Sequence, residues 1–124
     1  MKAEGKSVLF VEDSPTMRRI IANSLKKIGF SEIIEAEDGV DALEKIDGRL
    51  VDLVVTDWNM PEMNGAELVE VLRSRPEFDN IPIVMITTRG MKDDVITAMK
   101  LGVNAYVIKP FTPDILQQKL DAVF

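Results

Sequence analysis

The chain has 124 residues, 46% hydrophobic and 29% charged, enough to bury roughly two thirds of its unfolded surface in one domain and too few for a second. Fifteen Lys and Arg against 21 Asp and Glu leave a net charge of −6, which sets the protein against nucleic-acid phosphates. Cysteine and histidine are absent, which removes disulfides, thiolate nucleophiles, zinc clusters and imidazole bases, and with them most serine, cysteine and zinc hydrolase machinery.

The opening Met1-Lys2-Ala3-Glu4-Gly5-Lys6 leads into only four apolar residues, Val8-Leu9-Phe10-Val11, before Glu12 and Asp13 interrupt. That is too short for a secretory core or a membrane span, so a cytoplasmic protein without membrane insertion is expected. Val8 to Val11 is the first predicted strand. A helix follows, capped by Ser14 with Pro15 in its first turn; Met17, Ile20, Ile21, Leu25 and Ile28 form its apolar stripe, and Gly29 ends it. Ile33 to Ala36 is the second strand. The second helix starts at Asp38, turns Ala42, Leu43 and Ile46 inward and stops near Asp47-Gly48.

Leu53 to Thr56 reads as the third strand, followed after Asn64 by a helix with Leu68, Val71 and Leu72 on its inner side. Ile83 to Ile86 is the fourth strand. Its helix runs from about Met91 to Leu101 and is closed by Gly102. Ala105 to Ile108 is the fifth strand, and the last helix has Thr112 as cap, Pro113 at its first position and Leu116, Leu120 and Val123 facing in. The strand runs are β-branched and continuously apolar, as expected of strands covered on both faces. The expectation is an α/β fold, a flavodoxin-like (βα)5 three-layer sandwich with a five-stranded parallel sheet in the order 2-1-3-4-5. Ligands of such folds bind at the carboxyl ends of the strands, where the winding reverses between strands 1 and 3.

The polar residues gather at those ends: Glu12 and Asp13 after strand 1, Asp57 after strand 3, Thr87 and Thr88 after strand 4, Lys109 and Pro110 after strand 5. Three carboxylates meeting there repel by ~4 kcal/mol per pair at 4 Å and an effective dielectric of 20. Cations are required. Hard carboxylate ligands without His or Cys point to Mg²⁺, with Mn²⁺ as a substitute, bridging to a phosphate. Lys109 supplies a mobile charge for Asp57 or a phosphoryl oxygen, and the Thr87 hydroxyl can donate to the same oxygen. A carboxylate beside Mg²⁺ and Lys fits an aspartyl phosphate, with Asp57 as acceptor.

At this point the sequence resembles the receiver domains of bacterial two-component response regulators. The resemblance rests on Val11-Glu12-Asp13, Asp57-Trp58-Asn59-Met60-Pro61 with Gly65, Thr87, Tyr106 and Lys109-Pro110-Phe111, and it covers essentially the whole chain. The stretches Thr16-Met17-Arg18-Arg19-Ile20 and Glu35-Ala36-Glu37-Asp38-Gly39-Val40-Asp41-Ala42-Leu43 further resemble the stand-alone chemotaxis regulators of that family. The resemblance implies one receiver domain over residues 1–124 with no output domain. It implies a histidine kinase (CheA-like) or small phosphodonor that phosphorylates Asp57, with the metal held by Glu12, Asp13, Asp57 and the backbone carbonyl of Asn59. Thr87 and Lys109 would grip the phosphoryl oxygens, and Tyr106 would turn inward behind Thr87.

The protein would then be a signalling switch and not an enzyme, catalysing only its own phosphorylation and dephosphorylation. Its output surface would comprise Lys92, Val95, Met99, Tyr106 and Lys119, presented by a monomer to a flagellar motor switch protein, with a phosphatase as a further partner. Three departures bear on tuning. Glu12 stands where the family often has Asp, Thr88 where it often has Ala or Gly, and Arg89 is a cation at a position that, with Asn59, tunes acyl-phosphate hydrolysis. The alternatives are a receiver serving a phosphorelay or another enzyme, and a Mg²⁺-dependent phosphohydrolase. The latter needs an acid two positions after its nucleophile, where this chain has Asn59. Trp58 is expected to be a partly exposed loop aromatic.

Overall fold

Continuous runs of Val, Ile and Leu form strands here because each strand is covered on both faces and has no solvent side to alternate with. The computed structural model describes residues 3–123; the opening Met1-Lys2 lies outside them. The strands are β1 (Ser7–Val11), β2 (Glu32–Ala36), β3 (Leu53–Thr56), β4 (Ile83–Thr87) and β5 (Ala105–Ile108). They pair in parallel in the order β2-β1-β3-β4-β5, as the sequence predicts. The helices are α1 (Pro15–Ile28), α2 (Gly39–Ile46), α3 (Gly65–Ser74), α4 (Lys92–Leu101) and α5 (Pro113–Val123), with a 3-10 turn at Pro76–Phe78 that the sequence reading lacks.

Two apolar layers sandwich the sheet. One joins Leu9, Val11, Val54, Ile83 and Met85 to Ala42, Ile46, Leu68, Leu72 and Ala98 from α2, α3 and α4. The other joins Val8, Phe10, Leu53, Val55 and Ile86 to Ile21, Leu25, Leu116 and Leu120 from α1 and α5. Removing such side chains from water, at about 25 cal/mol per Å², is the main favourable contribution to folding.

The helix ends follow their capping residues. Ser14 Oγ accepts the Met17 N–H at 3.3 Å, Asp38 Oδ1 the Asp41 N–H at 2.7 Å, and Thr112 Oγ1 the Ile115 N–H at 3.2 Å. Asn64 and Glu67 form a reciprocal capping box. Gly29 and Gly102 close α1 and α4 in the left-handed region, at φ 114° and 107°. Two inward assignments are corrected. Ile20, on the edge of its stripe, is 46% exposed while Ala22 and Ser24 are buried, and in α3 it is Val69 that is buried beside Leu68 and Leu72, with Val71 only half-buried.

Arg73, near the end of α3, braces the entry to β4. Its guanidinium donates to the Gly102 carbonyl from Nε and Nη2, to the Phe78 and Asp79 carbonyls from Nη1, and to Asn104 Oδ1 from Nη2. Asn104 Oδ1 in turn accepts the Ile83 N–H. One side chain thus ties α3, the 3-10 turn, the end of α4 and the start of β4.

Candidate functional site

Glu12, Asp57 and Lys109 are each the first residue after a strand, and each continues its ladder by one hydrogen bond. The Glu12 N–H donates to Ala36 O at 3.0 Å, that of Asp57 to Val11 O at 3.1 Å, and that of Lys109 to Thr87 O at 2.9 Å. Because Val11 pairs with Thr56, Glu12 and Asp57 emerge side by side at the point where the winding reverses. Backbone pairing therefore fixes the origin of all three side chains.

Lys109 Nζ lies 2.6 Å from Glu12 Oε1 and 2.8 Å from Asp57 Oδ2. Each carboxylate's other oxygen is also engaged: Glu12 Oε2 accepts the Ser14 N–H at 3.0 Å, and Asp57 Oδ1 the Trp58 N–H at 2.6 Å. Burial raises the Glu12 carboxyl above its ordinary 4.5, against the lowering by Lys109 and the Ser14 N–H. Burial pulls Lys109 down, but its bonds to Asp57 and Glu12 outweigh this and hold the ammonium above its ordinary 10.5. Arg18 Nη1 donates to the Glu12 carbonyl at 3.0 Å and steadies the backbone of this corner. Arg18 and the Ser14 amide are contributions the sequence reading missed, although a helix cap two residues beyond a carboxylate was a usable signal.

Asp13 is exposed at the same rim, and carboxylate oxygens of Glu12, Asp13 and Asp57 all lie within 4.8 Å of one another. This donor set of hard oxygens, with no nitrogen or sulfur ligand, fits Mg²⁺ or Mn²⁺. Glu12 is only 1% exposed, whereas Asp13 is exposed and Asp57 half-buried, so Asp13 and Asp57 are better placed for direct ligation. The loop that carries Asn59 is held down from behind. The Gly65 N–H donates to Trp58 O at 2.7 Å, and a Cβ on Gly65 would fall 2.0 Å from the Asp57 carbonyl oxygen, which only glycine permits. Between them Glu62 sits at φ 64° in a tight turn in which the Met63 N–H reaches Pro61 O at 2.7 Å.

Thr87 is fully buried at the end of β4, with its Oγ1 accepting the Arg89 N–H at 3.2 Å; Thr88 is exposed. Tyr106 is turned inward and 7% exposed, and its hydroxyl donates to the Arg89 carbonyl at 2.7 Å. The Arg89 guanidinium stacks 4.6 Å from the Trp58 ring centroid, donates from Nε to Asn59 Oδ1 at 3.2 Å and pairs with Asp94 Oδ1 at 3.3 Å. Trp58 itself is 8% exposed and packs in the core, which corrects its reading as a partly exposed aromatic. The ring joins this apolar layer with Arg89 over it, a packing that no local sequence signal announces.

On the face formed by α4, β5 and α5, Lys92, Met99 and Lys119 are exposed. Val95 is half-buried against the core, and Tyr106 is buried. Met91, Ile96, Ile108 and Ile115, in or next to these elements, are each at least 40% exposed.

Five parallel β/α units with an acidic pocket and an ammonium group at the strand ends define a phosphoryl-receiving class of α/β domain, and the chain belongs to the response regulator receiver domain family, whose pattern matches residues 8–121. It is homologous to chemotaxis regulators. It is 55% identical over 117 residues to the chemotaxis protein CheY1 of Helicobacter pylori, covering 94% of each chain. Among solved structures it is similar to the chemotaxis response regulator CheY4 of Vibrio cholerae, with a TM-score of 0.89, 32% identity and coverage of 96% and 98%. It is also similar to the Mn²⁺-bound form of response regulator Rcp1, with a TM-score of 0.78, 29% identity and coverage of 91% and 87%. This is a signalling domain whose architecture is that of a phosphorylation-activated switch.

Proposed function

We propose that Asp57 accepts a phosphoryl group from a histidine kinase or a small phosphodonor, and that the modified protein acts as a chemotaxis output signal at the flagellar motor switch. The observation that carries this reading is the Lys109 ammonium seated between Asp57 and Glu12 with Asp13 beside them. A divalent ion at Asp13, Asp57 and the Asn59 carbonyl, with Mg²⁺ first and Mn²⁺ as substitute, would neutralise the incoming charge; the Mn²⁺-bound Rcp1 relative supports that choice.

The chain's own groups do the rest. The Trp58 N–H fixes the orientation of the Asp57 carboxylate through Oδ1, and Lys109 follows the oxygen charge as it moves to the phosphoryl group. Thr87 Oγ1 accepts from the Arg89 N–H while its own proton remains available to a phosphoryl oxygen. The protein catalyses only its own phosphorylation and dephosphorylation. It acts as a cytoplasmic monomer, and the exposed Met91, Lys92, Met99, Ile108 and Lys119 side chains form its partner surface.

The test is intact-protein mass spectrometry after incubation with Mg²⁺ and acetyl phosphate. The parent gains one phosphoryl mass and Asp57→Asn gains none; equal labelling of both overturns the acceptor assignment. Binding of a motor-switch peptide only after phosphorylation supports the output assignment. Phosphorylation without any change in binding favours a phosphorelay receiver instead.

A further inference from the structure

Every part of Arg89 is engaged. Its N–H is accepted by Thr87 Oγ1 and its carbonyl by the Tyr106 hydroxyl, so the backbone is fixed from two sides. Its side chain leaves that fixed backbone to lie over Trp58 and reach Asn59 beside the site. The Asn59 it reaches is two residues from Asp57, at most about 7 Å along an extended chain. Tyr106 feels the charges of Asp94, Arg89 and Asp57 together, which places all three within electrostatic range of one phenol.

The hold on the guanidinium is weak. The Asp94 contact is a single 3.3 Å pair between side chains 40% and 25% exposed, and the Asn59 bond is a neutral one at 3.2 Å. A phosphoryl group carries about −1.5 to −2 charges and three acceptor oxygens, and a guanidinium binds such a group through two parallel hydrogen bonds. Lys109 is already shared between two carboxylates, and Arg18 is occupied by the Glu12 carbonyl and Glu35. Beside a divalent ion and the shared Lys109, Arg89, already bonded to Asn59, is the next cation along the rim for a new anion on Asp57.

We propose that Arg89 is a partner-exchanging cation: held by Asn59 and Asp94 over Trp58 while Asp57 is unmodified, it turns to the phosphoryl oxygens when they arrive and releases Asp94. This rests on Asp57 being the acceptor. The consequence lies in α4, whose N-cap residue Met91 supplies no side-chain cap and whose Asp94 is tied to the rim through this pair. Release of Asp94 loosens the first turn, where the Asp94 and Val95 N–H groups both donate to Met91 O.

The test is a double-mutant cycle read by titrating beryllium fluoride, a stable phosphoryl stand-in, at fixed Mg²⁺ with Trp58 fluorescence as the signal. Asp94→Asn removes the competing anion and is expected to tighten binding about threefold, the size of a partly exposed ion pair. Arg89→Gln is expected to weaken it by a similar factor, Arg89→Lys to recover part of that loss, and Asp94→Asn to have no effect in the Arg89→Gln background. Amide exchange at Asp94 and Val95 should quicken on beryllium fluoride in the parent and be already fast in Arg89→Gln. An equal effect of Asp94→Asn in both backgrounds, or a midpoint indifferent to Arg89→Gln, overturns the exchange. A parent titration that Asp57→Asn leaves unaltered overturns the acceptor assignment, and the exchange with it.

Discussion

Lys109 Nζ stands 2.6 Å from Glu12 Oε1, and with side chains 9% and 2% exposed the two form the most deeply buried ion pair among the described residues. The ammonium also neutralises Asp57, so its removal leaves two carboxylates face to face. Breaking such a pair from one side costs about 3 kcal/mol or more. We expect Lys109→Met to lose that much stability in urea unfolding at neutral pH without divalent ions, and to recover more on adding Mg²⁺ than the parent does. Glu12→Gln leaves Lys109 with Asp57 and relieves an unfavourable burial, so a loss of only about 1 kcal/mol is expected.

Alkaline pH should expose two groups at once. Tyr106 is held above its ordinary 10.0, first by burial and then by the charge of Asp94, and Lys109 is held above 10.5 although burial opposes it. In both cases folding favours the protonated form. Their stabilisation is therefore complete below those ordinary values and is lost as pH rises through the higher folded ones. Tyr106→Phe gives up the hydrogen bond to the Arg89 carbonyl, worth about 1 kcal/mol at pH 7. The gap between this variant and the parent should narrow above about pH 10 in urea titrations; a gap that widens contradicts the burial account.

Gly65 and Gly48 offer a paired comparison. A methyl group at Gly65 meets the Asp57 carbonyl oxygen at 2.0 Å, so Gly65→Ala must shift the very loop that orients the carboxylate. We expect a loss of about 3 kcal/mol together with a weaker Mg²⁺ response of Trp58. Gly48 has φ 71° but open space around it, so Gly48→Ala should cost about 1 kcal/mol and leave the Mg²⁺ response intact.

Glu62 carries backbone strain with no side-chain bond to compensate it among the described residues. A residue with a Cβ at φ 64° is disfavoured by about 1–2 kcal/mol, part of which glycine's greater unfolded freedom cancels. Glu62→Gly is expected to raise stability by about 0.5 kcal/mol. A net loss would show that the carboxylate has a role the geometry conceals.

Much of this was legible beforehand because it is written locally. β-Branched runs set the strands, Ser14, Asp38, Asn64 and Thr112 set the helix starts, and the residue after each strand end named Glu12, Asp57 and Lys109. Periodicity alone located Ile20 on the stripe but could not say where the stripe's edge lies, and it confused Val69 with Val71, because the width of a buried arc depends on the neighbouring helices. Trp58 and Arg89 escaped for a related reason. Their positions are set by each other across 31 residues of chain, and neither a loop aromatic nor a loop cation carries a local mark of that contact.

The Arg73 brace turns α4 into a cantilever. Its far end is clamped, with the Gly102 carbonyl taking two bonds from one guanidinium and the Val103 N–H returning to Ala98 O. Its near end is held by Val95 on the core and by the single Arg89–Asp94 surface pair. A bending load applied at Asp94 is therefore felt most at Met91 and Lys92 and dies away toward Gly102, so the fulcrum, and with it the direction in which the outer face can swing, is set by a residue that touches neither the acidic pocket nor that face.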